Sequence, residues 1–463
     1  MLIRRARLLD GQLVDVRLDG ERIAAVEPSG SEEQAADRSA LDARGGLLLP
    51  GLHDHHLHVA ATAAALASVK CGPPDRFTAD ALAHALAAAP GEGWLRGIGY
   101  HESVAGELGR DWIDGAAPDR PVRIQHRSGR MWYLNSAALN VLLAGREPPP
   151  GLDVAKGRLF DNDAWLRQAL ASQLPDLGEV SRRWSAQGVT GLTDMSPRNG
   201  RQEAEWLAAE QRRGTLQQRL VVAGSAALGG VVAGPDLAIG PVKFHLHEAD
   251  LPDHAAFIAA IRAAHGQGRG AAVHCVTETE LVFTLAAFRE AGTAPLDRIE
   301  HASVTPAALL EQLVELDLAV VTQPNFVAER GDAYLADMPA DEWGSLYRLR
   351  SFRDAGLTLA GGSDAPFGST DLWAAMAAAV SRRTAAGAAL GLAEALNPEE
   401  ALALFLADPL DLARTRKVEA GAVADLSLLD QDWPELRTNL AAARVAATII
   451  GGRLVFATVR GRS

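Results

Sequence analysis

The chain has 463 residues, 48% hydrophobic and 22% charged, enough for one large domain and a smaller one, and its balance excludes a mainly disordered protein. Its 58 acidic and 45 basic residues give a net charge of -13 without long acidic runs, which argues against nucleic acid or an anionic membrane as partner. No stretch reaches the roughly 18 charge-free apolar residues of a membrane span, and the start, MLIRRARLLDGQLVD, has no continuous apolar run after its arginine pair. The two cysteines, Cys71 and Cys275, lie too far apart to suggest a disulfide framework and read as small buried apolar residues, so a soluble, unexported, cytoplasmic protein is expected.

In chain order, LIRRARLL, LVDVRL and RIAAVE are strand-like, and Asp19-Gly20 between the last two is a hairpin signal because both residues tolerate positive φ. The far end repeats the style with ADLSLL, VAATII, Gly451-Gly452 and RLVFA. Between these β-rich ends, short strand-like runs alternate with helical stretches such as TADALAHALAAA (78–89) and EEALALFLA (399–407). The runs are LLLPGL (47–52), PVRIQHR (121–127), GVTGLTDM (188–195), GPVKFHLH (240–247), GAAVHCV (270–276), RIEHA (298–302), AVVTQP (319–324) and TLAGGSDAP (358–366). Eight strands alternating with helices predict an α/β chain, a (β/α)8 TIM barrel over 49–414, with 1–48 and 415–463 joining as a small β-sandwich. An open doubly wound sheet lacks the Gly-rich phosphate loop it would need after its first strand. The stretch 59–120 is too long for one crossover helix and predicts an insertion there.

Ionisable residues gather at the C-terminal ends of these strands, where such a barrel keeps its active site. His56 and His58, two apart in extended backbone, point to one side and can share a metal. Lys243 lies in the fourth candidate strand, His274 in the fifth, His301 in the sixth and Asp364 in the eighth. A free ammonium cannot bind a cation. Burial favours the neutral amine, which can take up carbon dioxide as a carbamate and bridge two metals; the plain alternative is a lysine paired with a carboxylate such as Glu248. Singly, each histidine could be a hydrogen-bonded core residue, and HDHHLH a surface metal scavenger. Their order along the strands is what points to a metal site, with zinc the expected ion for four imidazoles and a carboxylate.

PGLHDHHLH (50–58), DRPVRIQHRSG with WYLNSAAL (119–129, 132–139), GVTGLTDM, the lysine of PVKFHLH, RIEHA with TQP, GGSDAP and the closing GAVADLSLLD (421–430) together resemble the amidohydrolase superfamily, in the branch with N-substituted formamide deformylase. The resemblance implies that His56 and His58 bind the buried metal, carbamylated Lys243 bridges, His274 and His301 bind a second metal, and Asp364 binds the first metal and shuttles protons. A hydroxide bridging two divalent ions would attack the carbonyl of an amide, formamide or cyclic amide. Three places depart from the family phrases: His55 stands where a serine is usual, Ser128-Gly129-Arg130 replaces a DGH phrase, and His247-Glu248 follows the strand-four lysine where Asp-Gly is common. Arg127 and Arg130 are candidate substrate contacts, with a salt bridge to Asp194 or another rim carboxylate as the plain alternative. His101, Trp132, Tyr133 and Asn325, with Trp94 and Tyr100, are pocket candidates by location, though rim packing explains aromatics as well.

A mononuclear heterocycle deaminase is the second enzymatic reading. It is disfavoured because the position three after His274 is Thr277, with Glu278 and Glu280 out of phase. Ester or lactone hydrolysis would use the same site, and a non-catalytic scaffold would be expected to have lost ligands that this chain retains. The expected partners are a small-molecule substrate and, as a homodimer, a second copy of the chain.

Overall fold

A computed structural model describes residues 1–30, 40–73, 75–170, 174–231 and 234–458. The chain divides into two compact units, 1–59 with 177–463, and 60–176.

The first unit is built on eight parallel strands, Leu52–Leu57, Val189–Asp194, Arg219–Gly224, Leu237–His245, Ala271–Cys275, Arg298–His301, Ala319–Thr322 and Leu359–Gly361, hydrogen-bonded side by side in chain order. Helices follow the strands, as parallel pairing requires. Between the last and first strands the backbone closes through Asp364 N–H to His56 O (2.7 Å) and His58 N–H to Ala365 O (2.8 Å). This is the expected (β/α)8 barrel. Register explains which residues face where. Lys243 sits opposite Ala272 and His245 opposite His274, so the residues two apart turn to the barrel interior. Val273 and Cys275, out of phase with them, pack with Phe257, Ile261, Leu285 and Phe288 beneath the helices.

Two strands differ from the sequence reading. PVRIQHR is not a barrel strand: Val122–His126 belongs to the second unit, and the third barrel strand is Arg219–Gly224, a short apolar run with no ionisable residue at its end to mark it. LLLPGL also divides. Leu48–Pro50 pairs antiparallel with Leu426–Leu429, and the first barrel strand begins at Leu52, so HDHHL is the strand itself rather than the loop after it.

Two four-stranded sheets complete this unit. One holds Leu2–Arg7, Leu13–Asp19, Arg22–Pro28 and Leu41–Asp42; the other holds Leu48–Pro50, Leu426–Leu429, Val445–Ile450 and Arg453–Ala457. Ile3, Val14, Val16 and Ile23 of the first share one core with Leu48, Leu426, Leu428 and Ile449 of the second, a small sandwich made from both ends of the chain. Asp19 pairs with Arg22 across the Gly20 turn, and Ile450 with Arg453 across Gly451-Gly452, whose φ values of 56° and 71° suit a tight hairpin.

The second unit carries a six-stranded sheet in the order Leu152–Asp153, Arg158–Phe160, Met131–Leu134, Val122–His126, Leu95–Tyr100, Val69–Lys70. Its NSAAL phrase is a helix cap. Asn135 Oδ1 accepts from Ala138 N and Val122 N, each at 2.9 Å, while its amide donates to Ala117 O and Arg120 O, satisfying the helix start and tying it to the sheet.

Both cysteines are buried, and burial pushes each thiol up to about 12. At pH 8 neither holds an appreciable thiolate fraction. A thiol reagent at that pH should therefore label neither in the native protein and both after denaturation; rapid native labelling would contradict this burial.

Candidate metal centre

At the C-terminal mouth of the barrel, His56 Nε2 and His58 Nε2 lie 3.5 Å and 3.3 Å from Asp364 Oδ1. Strand one supplies His56, His58 follows it directly, and the turn after strand eight supplies Asp364. Among the described residues these three form the one group of histidine, cysteine and acidic side chains whose ligand atoms all lie within 4.8 Å of one another. The His301 ring stands 4.6 Å from that of His56 and 4.5 Å from that of His274, and Lys243 is buried on strand four. All six residues expected at the centre belong to one unit and lie on its parallel strands or within three residues after them.

Burial governs their charge. It is the largest cause holding His56, His274 and His301 well below the ordinary imidazole value, reinforced by neighbouring basic groups. These rings are consequently neutral lone-pair donors, the form that ligates metal. Burial likewise brings Lys243 down to about 8, so that about a tenth of it is neutral amine at pH 7. Its Nζ has no hydrogen-bond partner, nor has Asp364 Oδ1. Buried polar atoms left without partners are costly, and these two orphans beside neutral imidazoles fit a cation and a modified lysine.

Four further residues hold this set in place. His56 Nδ1 bonds Glu300 Oε2 at 2.5 Å, and Arg298 Nε donates to Glu300 Oε1 at 2.5 Å. His301 Nδ1 bonds Gln323 Oε1 at 2.8 Å. Asp54 Oδ1 accepts from Ser363 N (2.9 Å) and His56 N (3.2 Å), tying strand one to the turn before Asp364. Sequence reading singled out none of them. The signals lay inside RIEHA, TQP and HDHH, as an acid or amide within reach of a ligand histidine, but direction in space was needed to read them.

The other candidates are placed as follows. Asn325 is buried at the start of the helix Asn325–Asp337 and donates to Ser363 O (3.1 Å), bracing the turn that carries Asp364. Arg127, Arg130, His101, Trp132 and Tyr133 lie in the second unit. There Arg130 pairs with Asp161, not with Asp194, and its guanidinium covers the Phe160 ring. His101 accepts from Ser103 N to start the helix Glu102–Ala105. Trp132 and Tyr133 are buried in apolar clusters of that unit. Asp194 instead accepts from Val59 N, Ser196 N and Asn199 Nδ2.

The amidohydrolase family profile matches residues 39–456. The chain belongs to the amidohydrolase family. It is a hydrolase acting on carbon–nitrogen bonds. N-substituted formamide deformylase of Arthrobacter pascens is 26% identical over 95% of this amidohydrolase and 94% of its own length. A metal-dependent hydrolase of Pyrococcus horikoshii superposes with a TM-score of 0.79 at 19% identity, covering 96% of this chain and 99% of the other. One from Pyrococcus furiosus gives 0.76 at 20%, covering 93% and 99%. At these identities the two structures speak for the fold. Among the described residues no helix is long and apolar enough to cross a membrane.

Two outcomes are expected. A Cβ on Gly362 would fall 2.5 Å from His56 Cβ and 2.7 Å from His56 N, so Gly362→Ala should displace strand one and lower metal content; unchanged metal uptake would contradict the packing. Five imidazoles, His53, His55, His56, His274 and His301, are held low, desolvation being the largest cause for each, so below about pH 6.5 the unfolded chain binds more protons than the native one and stability falls with pH. Asp54, raised to about 7, acts the opposite way over this range but is one group against five. The thermal midpoint of metal-free protein should drop between pH 7 and 5, and a flat profile would mean the rings are not held neutral.

Proposed function

We propose that this amidohydrolase hydrolyses a carbon–nitrogen bond of a small amide, formamide or cyclic amide at a binuclear centre. His56, His58 and Asp364 would hold one divalent cation and His274 and His301 a second, with Lys243, as its carbamate, supplying an anionic ligand to the pair. Zinc is the ion best matched to this donor set. In this reading the sandwich comprises 1–48 and 415–463, and 49–414 the barrel with its insertion. The observation that carries the reading is the pair of buried, unpartnered atoms, Lys243 Nζ and Asp364 Oδ1, among imidazoles that burial keeps neutral.

Two such cations would supply Lewis acidity for activating water and polarising a carbonyl. The protein's own groups do the rest. Net hydrolysis adds OH to the carbonyl carbon and H to the departing nitrogen, so one proton must cross the site. We assign that transfer to Asp364, whose carboxylate lies at the barrel mouth with its Oδ1 facing both strand-one imidazoles. Asn325 and Asp54 keep that carboxylate in position by holding Ser363 through its carbonyl and amide.

Hydrolysis is favoured over deamination by the fate of Glu280. That carboxylate, the one buried acid shortly after His274, accepts from Glu248 N, Val276 N and Thr277 N at 3.0, 2.7 and 3.2 Å. It caps the helix Glu278–Ala291 rather than offering a proton shuttle.

Elemental analysis of purified protein should find about two divalent ions per chain, as a two-metal site requires, and native mass measurement should find one added carbon dioxide that Lys243→Ala abolishes. Asp364→Asn should retain its fold and lose roughly a hundred- to ten-thousand-fold in rate on amide and formamide panels. One metal per chain with unmodified lysine would replace this reading with a mononuclear site.

A further inference from the structure

Strand six presents two consecutive residues to the same centre, which regular β geometry forbids. By register, Arg298 lies opposite Ala272 and Glu300 opposite His274, both on the interior phase, whereas His301 lies opposite Cys275, which faces the helices. Yet the His301 ring packs against His56 and His274. The backbone resolves the conflict. His301 has φ of +73° and Ala302 +45°, a left-handed turn that non-glycine residues rarely adopt, and it swings the His301 ring inward beside Glu300.

Glu300 is fully buried, and both its oxygens are used. One accepts from His56 Nδ1 at 2.5 Å and the other from Arg298 Nε at 2.5 Å. Arg298 Nη2 in turn donates to His55 O at 3.2 Å, so the pair is anchored to strand one at the residue before the ligand. A carboxylate only accepts, which places the proton of His56 on Nδ1 and leaves the Nε2 lone pair facing Asp364. We infer that Glu300 is a positioning residue for the cation held by His56, and that the left-handed backbone at His301 lets adjacent residues of one strand serve both metal positions, Glu300 through His56 and His301 directly. This rests on the binuclear reading above. Gln323 does for His301 what Glu300 does for His56, at 2.8 Å from its Nδ1, but as a neutral amide; a charged acceptor makes the stronger hydrogen bond, so the His56 ring is the more firmly oriented and its position the tighter hold.

The test uses full-length protein with zinc(II) as probe, titrated against a chromophoric chelator, and nitrogen-15 histidine spectra of the metal-free form. Glu300→Gln keeps the shape and an acceptor but removes the charge. It should weaken the tighter zinc site about 10- to 100-fold and move the downfield Nδ1–H signal of His56, leaving the weaker site unchanged. Should the single variant not fold because Arg298 is left unpaired in the interior, Arg298→Met with Glu300→Gln removes both charges together. That folded double variant should still bind the first zinc weakly. A merely structural pair predicts the reverse, wild-type zinc affinity once the charges are balanced, and that result would overturn the inference while leaving the binuclear centre intact. Wild-type protein that binds no zinc would overturn both.

Discussion

His56, Lys243, His301 and Asp364 are buried, and His58 and His274 half-buried, at one end of a parallel barrel, where Lys243 Nζ and Asp364 Oδ1 have no hydrogen-bond partner. Polar atoms in such a position cost free energy unless something takes up their lone pairs, and burial keeps the neighbouring imidazoles of His56, His274 and His301 neutral. The rest of the architecture can be understood as the means of holding that arrangement still. Barrel closure itself passes through it, since the backbone bonds joining strands eight and one are those of Asp364 with His56 and of His58 with Ala365. Any distortion of closure is thus a distortion of the ligand set.

Rigidity is supplied from several directions. Strand six anchors strand one through Arg298 and Glu300; strand seven orients His301 through Gln323; Asp54 and Asn325 fix the turn before Asp364. His301 and Asp364 adopt left-handed backbone, with φ of +73° and +54°, and in both cases the turn occurs at the strand's C-terminal end, where the chain leaves the ladder and its side chain must reach back over the barrel axis.

The sandwich contributes indirectly. Leu48–Pro50 belongs to its second sheet and runs after one residue into barrel strand one, so the strand bearing His56 is continuous with a sheet whose core draws on both chain ends. Gly188, with φ of +79°, comes so close to Ser427 Oγ that a Cβ would lie 2.3 Å from it, which locks the sandwich against the entry to strand two. Unit 60–176 has its own apolar clusters and caps and folds around its own sheet.

The sequence by itself determined the repeating strand–helix pattern, the hairpins at Asp19-Gly20 and Gly451-Gly452, and the residues that end on the barrel strands, because periodicity and side-chain chemistry are local properties. His56, His58, Lys243, His274, His301 and Asp364 could be named from type and spacing alone. Strand membership was less legible. PVRIQHR and RLVVAG are both short apolar runs, and which of them enters the barrel depends on partners distant in the chain. The supporting residues were invisible for the same reason: Glu300 lies 244 positions from His56, and no local rule turns two neighbours of one strand, Glu300 and His301, to the same side. That choice was made by the tertiary structure, which alone could hold His301 in a left-handed conformation its own sequence disfavours.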